Sequence, residues 1–164
     1  MKKSLDLTFL NEILGFDALT ICPKSKVGFL LQDNKLLTEV MKKLKTDERT
    51  FFDSLSCLTA IDNYPKQESI EVVYSLYSIP KKHKMDLYVV LDRENPRIES
   101  VSEIWQTANW HEREAFDLLG VVFDNHPDLR RILLPNDWIG HPLRKDYVPQ
   151  ERYHGIGVDY KTEE

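Results

Sequence analysis

The stretch Ile70-Glu71-Val72-Val73-Tyr74-Ser75-Leu76-Tyr77-Ser78-Ile79, then Pro80-Lys81-Lys82-His83-Lys84, then Met85-Asp86-Leu87-Tyr88-Val89-Val90-Leu91, holds the strongest local signal in this chain. Two β-branched and aromatic runs flank a basic, proline-initiated turn, which predicts a β-hairpin. Upstream, Val27 to Leu31 reads as a strand, and Leu36, Leu37, Val40, Met41 and Leu44 recur at the three- and four-residue steps of one helix face. Leu5 to Leu14 predicts a short first helix stopped by Gly15. Phe51 to Ile61 suits a strand, although periodicity alone leaves a helical start open. Downstream, a helix is expected from Val101, with Trp105, Ala108, Ala115, Phe116 and Leu119 on one side and Gly120 ending it. The fold class is therefore α/β (α+β): a mixed sheet with a β-hairpin, packed by helices, over residues 1–124.

Residues 125–164 follow different rules. Four of the eight prolines, Pro127, Pro135, Pro142 and Pro149, punctuate the run from His126 to Pro149 and forbid a long helix or a central strand. Yet the run carries Leu129, Ile132, Leu133, Leu134, Trp138 and Ile139, too much apolar surface for a plain loop. A long extended C-terminal arm for partner docking is the expectation, lying against its own domain, a partner, or both.

At 164 residues the chain suffices for one hydrophobic core. A formal charge of −5 gives it no reason to seek nucleic acid. Cys22 and Cys57 stand too far apart in sequence for a CxxC redox pair or an iron–sulfur ligand run. No apolar run approaches the roughly 20 residues that cross a bilayer. Met1-Lys2-Lys3, followed by Ser4-Leu5-Asp6, lacks the features of a secretory or transit leader, so a cytoplasmic chain is expected.

The densest ionisable cluster is Trp110-His111-Glu112-Arg113-Glu114-Ala115-Phe116-Asp117. On a continuous helix Glu112 falls within the apolar stripe, where an unpaired carboxylate is costly, so Arg130 or Arg131 of the arm is expected to meet it. Arg113 and Asp117, four apart, are expected to pair on the helix surface. Glu112 and Glu114 point in different directions, against an acid/base pair, and Ala115 stands where a zincin helix needs its second histidine. A metal-dependent or hydrolytic centre using His111, Glu112 and His126 is the competing reading. In each His-Pro pair, at His126 and His141, an extended turn with the imidazole bonded to backbone is the simpler reading. From His126 to Tyr147, Arg130, Arg131, Arg144 and Lys145 face Asp128, Asp137 and Asp146, a mixed sign suited to specific ion pairs with a protein. His154-Gly155-Ile156-Gly157 lacks the third glycine of a dinucleotide loop.

Three blocks, Glu112-Arg113-Glu114-Ala115-Phe116-Asp117-Leu118-Leu119-Gly120, His126-Pro127-Asp128-Leu129-Arg130-Arg131-Ile132-Leu133 and Gly140-His141-Pro142-Leu143-Arg144-Lys145-Asp146-Tyr147, closely resemble the signature of the C subunit of NADH–quinone oxidoreductase, respiratory complex I. The resemblance implies a free-standing subunit of the peripheral arm with no catalytic, cofactor or metal residues of its own. Iron–sulfur clusters and flavin are, by the same resemblance, expected in partner subunits. It also implies docking on the D subunit, which holds the quinone site, and on neighbouring iron–sulfur subunits, at the cytoplasmic side of the bacterial inner membrane. The partner-binding or arm-anchoring residues are then Glu112, Arg113, Glu114, Asp117, His126, Arg130, Arg131, His141, Arg144, Lys145 and Asp146. Related membrane-bound hydrogenase and plastid-type complexes contain similar subunits, and these are the alternative setting.

Overall fold

A computed structural model describes residues 5–158; the first and last residues of the chain, including the Met1-to-Ser4 start and the end of the expected arm, lie outside the described part. Helix α1 (Leu7–Leu14) starts on Asp6, whose carboxylate accepts the Phe9 N–H, and stops at Gly15, which takes the left-handed conformation (φ 79°). Strands β1 (Leu19–Ile21) and β2 (Gly28–Leu31) follow, then helix α2 (Leu37–Thr46) behind one turn of 3₁₀ helix. Strands β3 (Ser54–Asp62), β4 (Ser69–Ser78) and β5 (His83–Asp92) complete a five-stranded sheet in the order β1-β2-β5-β4-β3. Only the β2–β5 pairing is parallel, so the sheet is mixed, as expected.

The hairpin of β4 and β5 runs without a register break from Ser69↔Asp92 to Ser78↔His83. Alternation along β4 sends Ile70, Val72, Tyr74 and Leu76 inward, and along β5 Met85, Leu87, Val89 and Leu91. They meet Leu10 and Leu14 of α1 and Leu37, Val40, Met41 and Leu44 of α2 in one continuous core. The opposite face is only partly covered: Cys22, Val73 and Tyr88 form a small second cluster beneath the turn before β2, where Lys24 pairs with the buried Glu71.

After the sheet come β6 (Arg97–Glu99), helix α3 (Ala108–Leu119) and β7 (Val122–Asp124), with β6 and β7 paired in parallel. The helix expected from Val101 therefore starts seven residues later. Residues 101–107 form turns, and Trp105 packs from there, its indole N–H donating to the Phe52 carbonyl. Phe116 is only half-buried, whereas three charged residues of α3 are buried. The short strands β1, β6 and β7 offered three residues each, below what alternation can reveal. Beyond β7 the described chain holds only a two-residue hairpin, β8 (Arg152–Tyr153) with β9 (Ile156–Gly157).

Tyr74 is fully buried in the middle of β4, and its hydroxyl finds no hydrogen-bond partner among the described residues. Burying an unbonded hydroxyl costs on the order of 1 kcal/mol or more. Tyr74→Phe is expected to leave the chain as stable or about 1 kcal/mol more stable, read as an unchanged or raised midpoint in urea; clear destabilisation would contradict this account of the core.

Candidate functional site

A helix leaves its last four carbonyls without intrahelical donors. At the end of α3 the Gly120 N–H bonds to Phe116 O, and the arm supplies donors to the other three. Asp117 O accepts from Arg131 Nη1 (3.1 Å) and His141 Nδ1 (2.9 Å), Leu118 O from the Leu143 N–H (3.0 Å), and Leu119 O from Arg144 Nε (2.8 Å). The two guanidinium groups also bring positive charge to the negative end of the helix dipole. Gly120, at φ 75°, turns the chain away, and a Cβ there would lie 2.7 Å from the His141 ring, so glycine is required on both counts.

The Asp117 side chain is the centre of the attachment. Fully buried, it accepts the backbone N–H groups of Ile132, Leu133 and Leu134 on Oδ2 (3.0, 2.7 and 2.8 Å) and pairs with Arg131 through Oδ1 at 2.7 Å. Burial works to raise its pKa, but these donors together outweigh it and hold the carboxyl below the ordinary value. The other edge of the Arg131 guanidinium donates to the carbonyls of Trp138 (3.1 Å) and Gly140 (3.0 Å), closing the intervening loop.

A second anchor lies on the far side. Arg93, at the end of β5, forms a two-toothed pair with Asp62 of β3 (2.9 and 3.0 Å), both side chains almost wholly buried, and reaches Asp146 with its remaining edge. Asp62 Oδ2 also accepts the Lys145 N–H at 2.9 Å. The guanidinium holds the Asp62 carboxyl far below its ordinary range, so this stabilisation is present above about pH 4 and lost on acidification.

Two expectations require correction. Glu112 is buried as predicted, but neither Arg130 nor Arg131 meets it. Its oxygens accept from the Ser100 hydroxyl (2.6 Å) and the Val101 N–H (2.8 Å), because the turn before α3 lies nearer than the arm. Nor do Arg113 and Asp117 pair on a helix surface. Both are buried: Asp117 is claimed by the arm, and Arg113 donates to the carbonyls of Arg130 (3.2 Å) and Arg131 (3.4 Å) while lying over the Trp110 ring. Arg130 itself is exposed and, among the described residues, pairs only with Asp128, two positions away. Glu114 is exposed, bordering a small cleft with His111, Leu118 and Leu143.

The structure does bring Glu112 and His126 together, at 3.8 Å. His126 Nδ1 accepts the Asp128 N–H, so Nε2 carries the proton and donates to the Asn109 carbonyl. Burial lowers the His126 pKa and keeps the ring neutral. With both nitrogens engaged, and His111 turned to the other cleft, the three residues of the competing catalytic reading do not converge on one point. Among the described residues no group of three or more His, Cys, Asp or Glu is placed to hold a metal ion.

Sequence reasoning missed Asp62, Arg93 and Ser100. Charged residues at strand ends read as solvated, whereas here the Tyr64 ring and the returning arm both lie against this pair.

The class defined by these features is an α+β domain whose C-terminal segment is strapped to its surface at the end of its last helix. A family model described as the respiratory-chain NADH dehydrogenase 30 kDa subunit matches residues 30–153. The C subunit of the NADH-quinone oxidoreductase of Chlorobium phaeobacteroides is 50% identical over 93% of this chain and 89% of its own length. That of Chloroherpeton thalassium is 52% identical over 71% of this chain, and the match spans 48% of that longer protein. Among solved structures, the trypsin-resistant fragment of Nqo5 superposes with a TM-score of 0.62 at 29% identity, covering 74% of this chain and 97% of the fragment. A chain of an archaeal membrane-bound sulfane sulfur reductase shares the fold, with a TM-score of 0.70 at 22% identity over 86% of this chain and 84% of its own. The chain belongs to the family of the 30 kDa subunit of respiratory-chain NADH dehydrogenase, the C subunit of NADH–quinone oxidoreductase.

Asp117→Ala strips four donors of their acceptor and leaves Arg131 unpaired. A loss of about 3–5 kcal/mol is expected, together with rapid tryptic cleavage after Arg130, Arg131 and Arg144; wild-type cleavage kinetics would contradict the anchor. For Glu112, burial pushes the carboxyl up to about 7, so its folded pKa exceeds the unfolded one. Its stabilising protonation is complete below about pH 4.5 and lost as pH rises through 7. Glu112→Gln removes the charge, keeps the amide oxygen as acceptor of the Val101 N–H, and turns the Ser100 contact round so that the amide N–H donates to the hydroxyl oxygen. Its stability relative to wild type is expected to rise between pH 5 and 8, by about 1–3 kcal/mol, and a pH-independent difference in thermal melts would refute the assignment.

Proposed function

We propose that this chain is a structural subunit of a proton-translocating NADH–quinone oxidoreductase, with no catalytic residue, flavin or iron–sulfur cluster of its own, supporting electron transfer from NADH to quinone by docking on the D subunit that holds the quinone site. The observation that carries the reading is the arm. It is held on its own domain by Asp117, Arg131 and the Asp62–Arg93–Asp146 network, yet Leu133, Ile139 and Leu143 remain exposed at 60, 71 and 54%. Apolar side chains on a fixed backbone are what a docking face needs, because little ordering entropy is lost on binding. Iron–sulfur subunits of the peripheral arm are the further neighbours this reading expects.

The ion pairs expected to reach a partner are in part internal: Arg131 and Asp146 are engaged within the chain, while Arg130 and the Lys145 side chain remain available outward. No described helix is long and apolar enough to cross a membrane, and attachment to the cytoplasmic side of the inner membrane would come through the assembly.

Affinity purification of the tagged chain from membranes solubilised in mild detergent tests the proposal. Wild type is expected to bring NADH-oxidising, iron–sulfur and quinone-site subunits. The Leu133→Asp/Ile139→Asp variant is expected to melt as wild type but retain them about tenfold less or worse. Recovery of the wild-type chain alone would overturn the reading, and undiminished recovery with the variant would remove the arm from the interface.

A further inference from the structure

A second surface lies away from the arm, at the tip of the β4–β5 hairpin. Lys81, Lys82 and Lys84 are all exposed there, and none forms an ion pair among the described residues. With Asp53, which is fastened to the same turn, the tip carries +2, and the remainder of this −5 chain carries −7. Positive charge is thus concentrated at the tip, where none of the three lysines is neutralised by an ion pair among the described residues.

Two apolar side chains accompany the lysines. Ile79, which begins the turn, is 62% exposed, and Phe51 is 41% exposed. The Phe51 loop is fastened to the hairpin on both sides: Asp53 accepts the Ile79 N–H at 2.9 Å, and His83 Nε2 donates to the Thr50 carbonyl at 2.6 Å. Phe51 also adopts φ 41°, a left-handed conformation that is a strained outlier for a bulky residue. The Phe51 N–H bonds to Asp47 O, and its carbonyl accepts the Asp53 N–H, so a tight turn holds the residue in that conformation while its neighbour Phe52 is buried. Strained backbone that exposes an aromatic residue beside unpaired cations marks a contact surface.

We infer that the hairpin tip, Lys81, Lys82 and Lys84 with Ile79 and Phe51, docks against an acidic protein surface of another subunit in the assembly. This inference rests on the subunit reading above and adds a contact remote in the fold from the arm. A protein partner fits better than an anionic membrane. Charges interact over about 8 Å at physiological ionic strength, so a local acidic patch meets the tip alone, whereas an extended anionic surface also faces the −7 of the rest.

The test is zero-length carbodiimide cross-linking of the assembly purified through the tagged chain, which joins lysine amines only to carboxylates in direct contact. Links are expected from Lys81, Lys82 or Lys84 to Asp or Glu residues of another subunit. The variant K81E/K82E/K84E, all at exposed positions, is expected to melt as wild type but be retained about tenfold less. Cross-links from other lysines of this chain but none from these three, or unchanged retention of the triple variant, would overturn the inference. So would lysine-dependent flotation of the wild-type chain with phosphatidylserine-containing vesicles in place of such links. A wild-type chain that brings no other subunit would instead fail the underlying reading, before any variant is compared.

Discussion

Everything beyond the central sheet depends on the unfinished hydrogen bonding at the end of one helix. The last carbonyls of α3 face outward at Gly120, and the arm answers them with two arginines, a histidine and a backbone N–H. The Asp117 side chain, in the last turn of the same helix, reverses the polarity and accepts three consecutive amides of the arm. Donors and acceptors therefore alternate across a single seam. A displaced arm would leave helix carbonyls, a buried carboxylate and its own amides unsatisfied together, which is why a segment without helix or long strand still has a fixed course.

The two buried carboxylates of α3 differ in how fully they are solvated by protein. Asp117 has three amides and a guanidinium and stays ionised. Glu112, with one hydroxyl and one amide, is pushed up to about 7. The first behaves as a structural anion, and the second sits near its titration point, beside a neutral His126 at the root of the arm. Five residues apart on one helix, the two groups differ in charge state because Asp117 has more donors aimed at it and Glu112 lies deeper from solvent.

The hairpin, both early helices and the mixed sheet were legible in the sequence because each repeats its pattern several times. The three-residue strands and the turns around Trp105 were not, since a helix-like spacing from Val101 to Ala108 is also what a packed turn produces. At the site, the motif-bearing residues were identified and the burial of Glu112 followed from periodicity. Their partners did not follow. Which of two arginines reaches which carboxylate depends on the path of residues 126–147, and prolines constrain that path without specifying it. Asp62 and Arg93 were invisible for the same reason: each becomes a buried site only when residues distant in sequence close over it.

The clasp recognises the arm largely by its main chain. Asp117 holds the N–H groups of residues 132–134, and Arg131 holds the carbonyls of Trp138 and Gly140, so the side chains of Leu133 and Ile139 take no part in keeping the loop in place. The loop is in this respect like an antibody's hypervariable segment on its framework: side chains on its outer surface can be exchanged to suit a different neighbour while the frame that presents them persists. An assembly built on such a protein can change its interfaces in evolution without first rebuilding the part that holds them.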